Sequence, residues 1–151
     1  MSIRVIREQL PCKEDIVKHE DLTKKIIGCF YTVYNALGYG FLESVYQKAL
    51  AIELRKQGFQ VSCQHSFTVH YDGQTVGEFV ADVVVNDLII LELKAVRTLM
   101  PEHENQLLNY LNASRYEVGL LFNFGPTPQL KRRIYDNERK VYRAPERIAH
   151  G

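Results

Sequence analysis

The chain has 151 residues, of which 46% are hydrophobic and 25% are charged, the proportions of an ordinary globular domain. This length suits one domain around a single core, and the composition argues against a disordered chain. The 19 lysines and arginines nearly balance the 18 aspartates and glutamates, giving a net charge of +1. Proteins that bind nucleic acid by nonspecific phosphate contacts alone are usually far more basic, whereas an enzyme with a local basic rim remains compatible with this balance.

The cysteines and the apolar segments indicate the cellular compartment to expect for this protein. Cys12, Cys29 and Cys63 are odd in number and widely spaced, which argues against a disulfide scaffold or a zinc finger and predicts free thiols. Residues 1–21 are charged throughout and lack the apolar stretch of a secretory signal. The longest apolar runs, such as residues 88–91, are far too short to span a bilayer. We therefore expect a cytoplasmic protein with no membrane contact.

Residues 1–20 lack a clean hydrophobic period and contain Pro11, so they are interpreted as an N-terminal tail. A single domain is predicted over residues 21–143, followed by a C-terminal tail over residues 144–151. The basic remainder after the last predicted strand is expected to be loosely held.

Two helices open the predicted domain, over residues 21–37 and about 41–57, separated by the Gly-Tyr-Gly segment 38–40. Gly58 is placed where a glycine would end the second helix. The expected buried face of the first consists of Ile26, Ile27, Phe30, Tyr34 and Leu37. That of the second consists of Leu42, Val45, Tyr46, Ala49, Leu50 and Leu54.

The hydrophobic period then changes to two, which indicates strands over residues 60–71, 75–85 and 88–96. Asp72-Gly73 and Asn86-Asp87 are tight-turn signals between them, so the three strands should form an antiparallel meander. The third is mostly apolar and is expected to be central in the sheet.

A further helix begins at Pro101, a residue favoured at the first helical position. It precedes a buried strand over residues 117–124 and an edge strand over residues 130–135. The predicted order is therefore ααβββαβ(β). This is an α/β (α+β) fold with a central mixed sheet of four to five strands flanked by helices.

Charged residues interrupt two of the apolar strands. Glu92 and Lys94 alternate with apolar residues, so their side chains should point the same way, about 6.5 Å apart at Cβ. Burying such charges without a partner is costly, and a metal ion, a phosphate or a mutual ion pair would each offset the cost. Asp82 lies in the apolar run of the neighbouring strand, where it can face the same side.

Two carboxylates on adjacent strands repel each other unless a cation lies between them. Mg²⁺ typically takes one or two carboxylates together with water and substrate phosphate, which suits Asp82 and Glu92 with a third acid from elsewhere. The structural alternative is a solvated Glu92–Lys94 pair on an open sheet face.

Asp82 with the later Glu-Leu-Lys of residues 92–94 resembles the D…(D/E)-x-K signature of the PD-(D/E)xK nuclease superfamily. Segment 40–46, Gly-Phe-Leu-Glu-Ser-Val-Tyr, is similar to the G-x-x-E-x-x-Y motif of the GxxExxY protein family, a small branch of that superfamily. The resemblance covers about residue 21 to about residue 135 and includes the Asn-Phe-Gly segment 123–125. Ala81 stands in place of the signature's proline, a position that varies in the superfamily.

The resemblance implies a restriction-endonuclease-like core and a metal-dependent nuclease. Asp82 and Glu92 would bind Mg²⁺ or Mn²⁺ directly. Glu43 would reach the metal from the second helix, and the Leu93 carbonyl would complete the shell. Lys94 would position or activate the attacking water and help to neutralise the phosphate charge. The partner would be nucleic acid, with DNA favoured, and family analogy suggests a homodimer.

Gln106 and Tyr110 lie four residues apart on one face of the predicted third helix. They are similar to the Q-x-x-x-Y motif of exonuclease-like branches of the superfamily. This implies that Gln106 orients the site and that Tyr110 contacts substrate or braces the helix. The alternative is a polar edge beside a core stripe.

Lys131, Arg132 and Arg133 begin a basic stretch that continues with Arg139, Lys140 and Arg143. It is a candidate for binding the substrate backbone, and a solvated charged edge is the alternative. A catalytically silent module that binds nucleic acid or protein on the same fold is the competing functional hypothesis, because a fold does not fix a function.

Overall fold

The computed structural model describes residues 19–140. The predicted C-terminal tail, and all but the last two residues of the predicted N-terminal tail, lie outside the described residues. Helix α1 spans Glu20–Leu37 and helix α2 spans Glu43–Lys56, close to the expected bounds. As predicted, Gly58 lies just beyond α2, where its positive φ of 89° turns the chain away from the helix.

The three predicted strands form an antiparallel meander, with β1 at Val61–Tyr71, β2 at Gln74–Val85 and β3 at Ile89–Lys94. Asp72-Gly73 and Asn86-Asp87 form the turns that connect them, and both residues of each turn have positive φ. The first is a two-residue hairpin, whereas residues 86–88 separate the paired Val85 and Ile89 in the second.

The hairpin of β1 and β2 is longer than the strand beside it. β2 pairs with β1 along its length, but it pairs with β3 only at Val83, Val84 and Val85. The ends of β1 and β2 near the Asp72-Gly73 turn therefore extend beyond β3 as a two-stranded arm.

Helix α3 spans Pro101–Ala113 and connects β3 to β4 (Val118–Phe124), which runs parallel to β3. The edge strand β5 (Pro128–Ile134) returns antiparallel to β4. The sheet has five strands in the order β1-β2-β3-β4-β5, so β3 is central as expected. This confirms the predicted α+β fold with a mixed sheet, consistent with a restriction-endonuclease-like core.

Helices cover both faces of the sheet. On one face, α1 and α2 pack through stacked aromatic rings, with Phe30 on Phe122 at 4.3 Å and Tyr46 on Phe124 at 4.2 Å between centroids. On the other face, Leu107 of α3 packs against β4, where a Cβ on Gly119 would lie 2.7 Å from the Leu107 side chain. Each fully buried large apolar side chain contributes about 1.5–3 kcal/mol, so the two clusters fix the sheet between its helices.

The buried face of α2 differs from the prediction at its start. Tyr46, Leu50 and Leu54 are buried as expected, but Leu42 is 76% exposed and Val45 is 37% exposed. Leu42 is the N-cap residue rather than part of the helix, so helical spacing does not apply to it. Val45 precedes Tyr46 by one residue, about 100° around the helix from the buried stripe.

The C-terminal remainder is better held than expected as far as the structure describes it. A short 3₁₀ helix covers Asn137–Arg139, and the next residue, Lys140, is buried. The Lys140 ammonium donates hydrogen bonds to the carbonyls of Ser114 and Tyr116, at 2.8 Å each. Lys140 therefore anchors the chain beneath the start of β4 and is not available to a nucleic-acid backbone.

Cys29 and Cys63 are free thiols, as predicted for them, whereas Cys12 lies outside the described residues. Across residues 19–140, no helix combines the length and the apolar character needed to cross a bilayer.

Candidate functional site

The site is built where β2 and β3 separate. The backbone pairing of the two strands ends at Val83–Leu91. Beyond it, the side chains of Asp82 and Glu92 replace backbone carbonyls as hydrogen-bond acceptors. The Leu93 amide donates to Asp82 Oδ2 at 2.8 Å, and the Asp82 amide lies 3.4 Å from Glu92 Oε2. Asp82 and Glu92 are thus held side by side in the gap between the strands.

A break in the alternation of β2 orients Asp82. Val83 packs in the core under α1 and α2, yet Ala81 packs in the core under α3, although side chains two residues apart normally share a face. Opposite Asp82, Gln64 of β1 has a positive φ of 53° and is skipped in the strand pairing. The Gln64 side chain bonds to Asp82 and donates to Gln47 of α2 at 2.7 Å. Sequence reasoning missed Gln64, because nothing in its surroundings signals this backbone.

Excess negative charge defines the electrostatics of the site. Glu92 is only 6% exposed, and burial followed by repulsion from Asp82 raises its pKa to about 8. Burial is also the largest cause of the raised pKa of Asp82, and the Glu43 charge adds to it. Lys94 on the same strand acts in the opposite direction on both carboxyls. A cation bound beside these carboxylates would favour their ionised forms.

Glu43 joins the acidic group from α2, as expected. It is the first residue of that helix, it is exposed, and its charge acts on both Asp82 and Glu92. Its position depends on the buried Tyr46, whose hydroxyl donates to the Gly38 carbonyl at 2.6 Å and accepts the Phe41 amide at 3.2 Å. The prediction that Tyr46 belongs to the core is confirmed, and its hydroxyl also fixes the loop that leads to Glu43.

Helix α3 brings Tyr110 to the acidic group but leaves Gln106 at the surface. The Tyr110 ring stacks on Phe79 at 3.9 Å, and its pKa is raised by burial and then by the charges of Glu92 and Asp82. Gln106, one turn earlier, is exposed, and within residues 19–140 it makes no hydrogen bond to the carboxylates. Tyr110 therefore lies near the two carboxylates and is packed against β2.

The loop after Lys94 is fixed by β4. Asn123, the strand partner of Lys94, is buried; its Oδ1 accepts the Val96 amide and its Nδ2 donates to the Val96 carbonyl, at 2.9 Å each. Asn123 Nδ2 also donates to Gln129 Oε1, which accepts the Leu99 amide at 3.1 Å. The sequence signalled this part only as the Asn-Phe-Gly segment of residues 123–125, and Gln129 was missed.

Gly125 completes the support of that loop. A Cβ on Gly125 would lie 2.4 Å from the Val96 carbonyl oxygen and 2.8 Å from Asn123 Nδ2, so only glycine fits without a shift of the backbone. From the other side, the Tyr34 hydroxyl bonds to the Gly125 carbonyl at 2.7 Å.

A family model described as the PD-(D/E)XK nuclease superfamily matches residues 20–134, which is most of the chain. The chain belongs to the PD-(D/E)XK nuclease superfamily. Among solved structures, the crystal structure of SSO0001 is similar over 80% of this chain, with a TM-score of 0.52 and 18% identity, which shows a shared fold. This chain spans 61% of the length of that protein. No curated protein matches the sequence.

PD-(D/E)XK nucleases typically use divalent metals, and the donor set at the strand gap fits one. Within residues 19–140, no three histidine, cysteine, aspartate or glutamate side chains form a ready-made cage. Mg²⁺ does not need one, since it typically takes one or two carboxylates and keeps water and substrate oxygens as its other ligands. Asp82 and Glu92 supply two adjacent carboxylates, and burial is the largest cause of the raised pKa of each.

The basic residues of β5 in this superfamily domain are divided between two faces of the sheet. Lys131 and Arg133 both pair with Glu104 of α3, the former at 3.9 Å. Arg132 lies between them in the strand, so its side chain leaves the opposite face. The three residues therefore form no single patch, and two of them tie β5 to α3.

Proposed function

We propose that this PD-(D/E)XK protein is a metal-dependent nuclease that hydrolyses phosphodiester bonds of nucleic acid, with DNA the favoured substrate. One observation supports it above the others. Two carboxylates and a lysine, Asp82, Glu92 and Lys94, converge where two strands part, and one carboxylate is buried. Buried acids without a matching charge are costly in a purely structural role, and a divalent ion would make them favourable.

Asp82 and Glu92 are the proposed ligands of Mg²⁺ or Mn²⁺, with Glu43 and the Leu93 carbonyl as further oxygen donors. A divalent ion bound there supplies polarisation of the phosphoryl oxygen and a lowered pKa of its water. Lys94, half-buried beside the carboxylates, holds the attacking water and neutralises charge that builds up on the phosphate. Gln106 and Tyr110 lie on the side of α3, where Gln106 is proposed to orient the site and Tyr110 to contact the substrate or brace the helix. Lys131, Arg132 and Arg133 are proposed only as outer contacts to the substrate backbone.

We further propose that the chain belongs to the GxxExxY branch, and the combined geometry of its motif residues supports this proposal. Gly40 has a positive φ of 122°. The Tyr46 hydroxyl donates a hydrogen bond to the loop before the helix, and Glu43 begins the helix close enough for its charge to act on Glu92. Each of these motif residues thus helps to position the Glu43 carboxylate. A homodimer, suggested by family analogy, is part of the same proposal.

Cleavage of labelled DNA and RNA, single- and double-stranded, with Mg²⁺, Mn²⁺ or EDTA tests the proposal. We expect metal-dependent cutting by the wild type, reduced by about 10²–10⁴-fold in Lys94→Ala. Lys25→Ala, which removes an exposed lysine of α1, is the matched control and should cut normally. Equal cutting by the wild type and Lys94→Ala would refute the proposed role of the lysine.

The second candidate function is a catalytically silent module that binds nucleic acid or protein on the same fold, since a fold does not fix a function and the net charge of +1 is low for a nuclease that holds its substrate by phosphate contacts. Binding of nucleic acid that weakens with salt, survives Glu92→Gln and needs no metal would support this alternative over the nuclease.

A further inference from the structure

The loop between α1 and α2 and the first turn of α2 present apolar side chains to solvent on either side of Glu43. Tyr39 is 54% exposed, Phe41 48%, Leu42 76% and Val45 37%. We call these four residues the apolar shelf. Single exposed apolar residues are ordinary, but a cluster at the entrance to a site is typical of a binding surface.

Phe41, within the apolar shelf, is held by the buried Tyr46. The Phe41 amide donates to the Tyr46 hydroxyl at 3.2 Å, and the Phe41 ring meets the Tyr46 ring edge to face at 6.1 Å. Tyr46 is itself fully buried and stacked on Phe124. The Phe41 ring is therefore held in place before any ligand arrives, and little of its conformational entropy is lost when a base stacks on it.

The position of the shelf connects it to the proposed chemistry. Leu42 directly precedes Glu43, whose charge acts on both Asp82 and Glu92. A substrate strand whose phosphate reaches the carboxylates therefore passes its neighbouring nucleotides close to the shelf.

The charge balance narrows what the shelf binds. Because the net charge is only +1 and the site has three carboxylates, phosphate contacts should contribute little to the affinity for nucleic acid. Stacking of bases on aromatic side chains supplies about 5- to 100-fold in affinity per base without added charge. A duplex keeps its base faces stacked inside, whereas unpaired bases offer them to a partner.

We propose that the apolar shelf stacks unpaired bases, so that this protein acts on single-stranded nucleic acid or on unpaired segments at a junction. The inference rests on the proposed function and names its substrate class. A second copy of the chain is a poorer occupant, because four side chains are far fewer than the roughly 20–30 residues per side of a stable protein interface.

The test compares binding and cleavage of one fluorescent oligonucleotide as a single strand, as a blunt duplex and as a duplex with an unpaired overhang. Tyr39→Ala and Leu42→Glu change exposed side chains and should leave the fold intact. Ile52→Glu is the matched control, because Ile52 is 61% exposed on the same helix and lies about 13 Å along it from Glu43. Binding is measured in EDTA and cleavage in Mn²⁺.

We expect the wild type to prefer the single strand and the overhang, and each shelf variant to weaken that binding by about 5- to 100-fold while Ile52→Glu binds normally. Single-strand binding in EDTA that is weakened in the uncharged variant Tyr39→Ala supports the shelf even if no substrate is cut, in which case the nuclease proposal alone fails. Equal cutting of single strand and duplex, unchanged in both shelf variants, overturns the shelf and leaves the nuclease standing. Self-association abolished by Leu42→Glu, without any loss of single-strand binding, also overturns it.

Discussion

The carboxyl of Glu92 lies against that of Asp82 in the gap between β2 and β3, and both have raised pKa values because of burial. The charged strand residues were conspicuous in the sequence because they interrupt apolar runs, so Asp82, Glu92 and Lys94 were predictable as a group. The sequence did not reveal Gln64, since its positive φ matters only once β1 is paired opposite Asp82. Residues that carry the chemistry can be recognised in the sequence because they are charged residues within apolar segments. The residues that orient them often have no such signal.

Stability should depend on pH through Glu92 in the metal-free protein. Its pKa is about 8 in the folded chain against an ordinary glutamate value of 4.5, so between these values the folded state binds more protons than the unfolded state. The free energy of unfolding should therefore fall as pH rises from about 4.5 to about 8, by more than about 1 kcal/mol, and remain low above that. Urea denaturation in EDTA across this range measures it.

Glu92→Gln removes that titration and should flatten most of the decline, leaving the smaller part due to Asp82. A curve for Glu92→Gln that is parallel to the wild-type curve would show that the buried carboxyl is not the titrating group.

The loop before α2 depends on a single hydroxyl. Tyr46→Phe keeps the stacked ring but removes the hydrogen bonds to the Gly38 carbonyl and from the Phe41 amide. We expect a loss of about 1–3 kcal/mol in unfolding free energy and slower cleavage, because Glu43 is no longer held. Denaturant titration and a cleavage assay measure both quantities. Tyr31→Phe, at an exposed position of α1, should change neither, and equal effects of the two variants would contradict this role of Tyr46.

The loop after Lys94 should tolerate no side chain at Gly125. In Gly125→Ala, the new Cβ would meet the Val96 carbonyl oxygen at 2.4 Å, so the backbone must move. We expect a loss of about 1–3 kcal/mol in stability together with reduced activity, since this loop continues directly from Lys94.

Gly28→Ala is the opposite case. Gly28 lies inside α1 with no atom within 4 Å of an added Cβ, so this variant should gain up to about 1 kcal/mol. Thermal unfolding of both variants separates the predictions, and a Gly125→Ala protein as stable as the wild type would show that the loop is not packed as described.

The elements themselves were largely predictable because hydrophobic period and turn residues act locally. The order of elements, the meander, the parallel crossover and the edge strand all follow from those signals. The predictions were wrong where the burial of a residue depends on its position in the tertiary structure. The expected stripe of α2 included Leu42, which precedes the helix, and Val45, which lies to the side of the buried stripe, and both are exposed. The terminus that was expected to be loose contains the buried Lys140.

The whole molecule is a mixed sheet between two layers of helices, with the acidic site where the central strand separates from the projecting β1–β2 hairpin. Residues 61–80, which include the arm, contain no lysine or arginine, and two of the three basic residues that begin the predicted basic stretch on β5 pair with Glu104. With a net charge of +1, this nuclease-type fold should attract nucleic acid only weakly through long-range electrostatics. The proposed activity depends instead on a few local contacts: a metal at the carboxylates, Lys94, and the apolar shelf.

Calorimetric titration of Mn²⁺ above pH about 8, where Glu92 is ionised, tests the proposed metal site most directly. The proteins are the wild type, Asp82→Asn, Glu92→Gln and the control Glu102→Gln, which removes an exposed acid at the start of α3. We expect binding by the wild type and the control, weakened by at least about tenfold in the two site variants. No binding by the wild type, or equal binding by all four proteins, would contradict a metal site at Asp82 and Glu92.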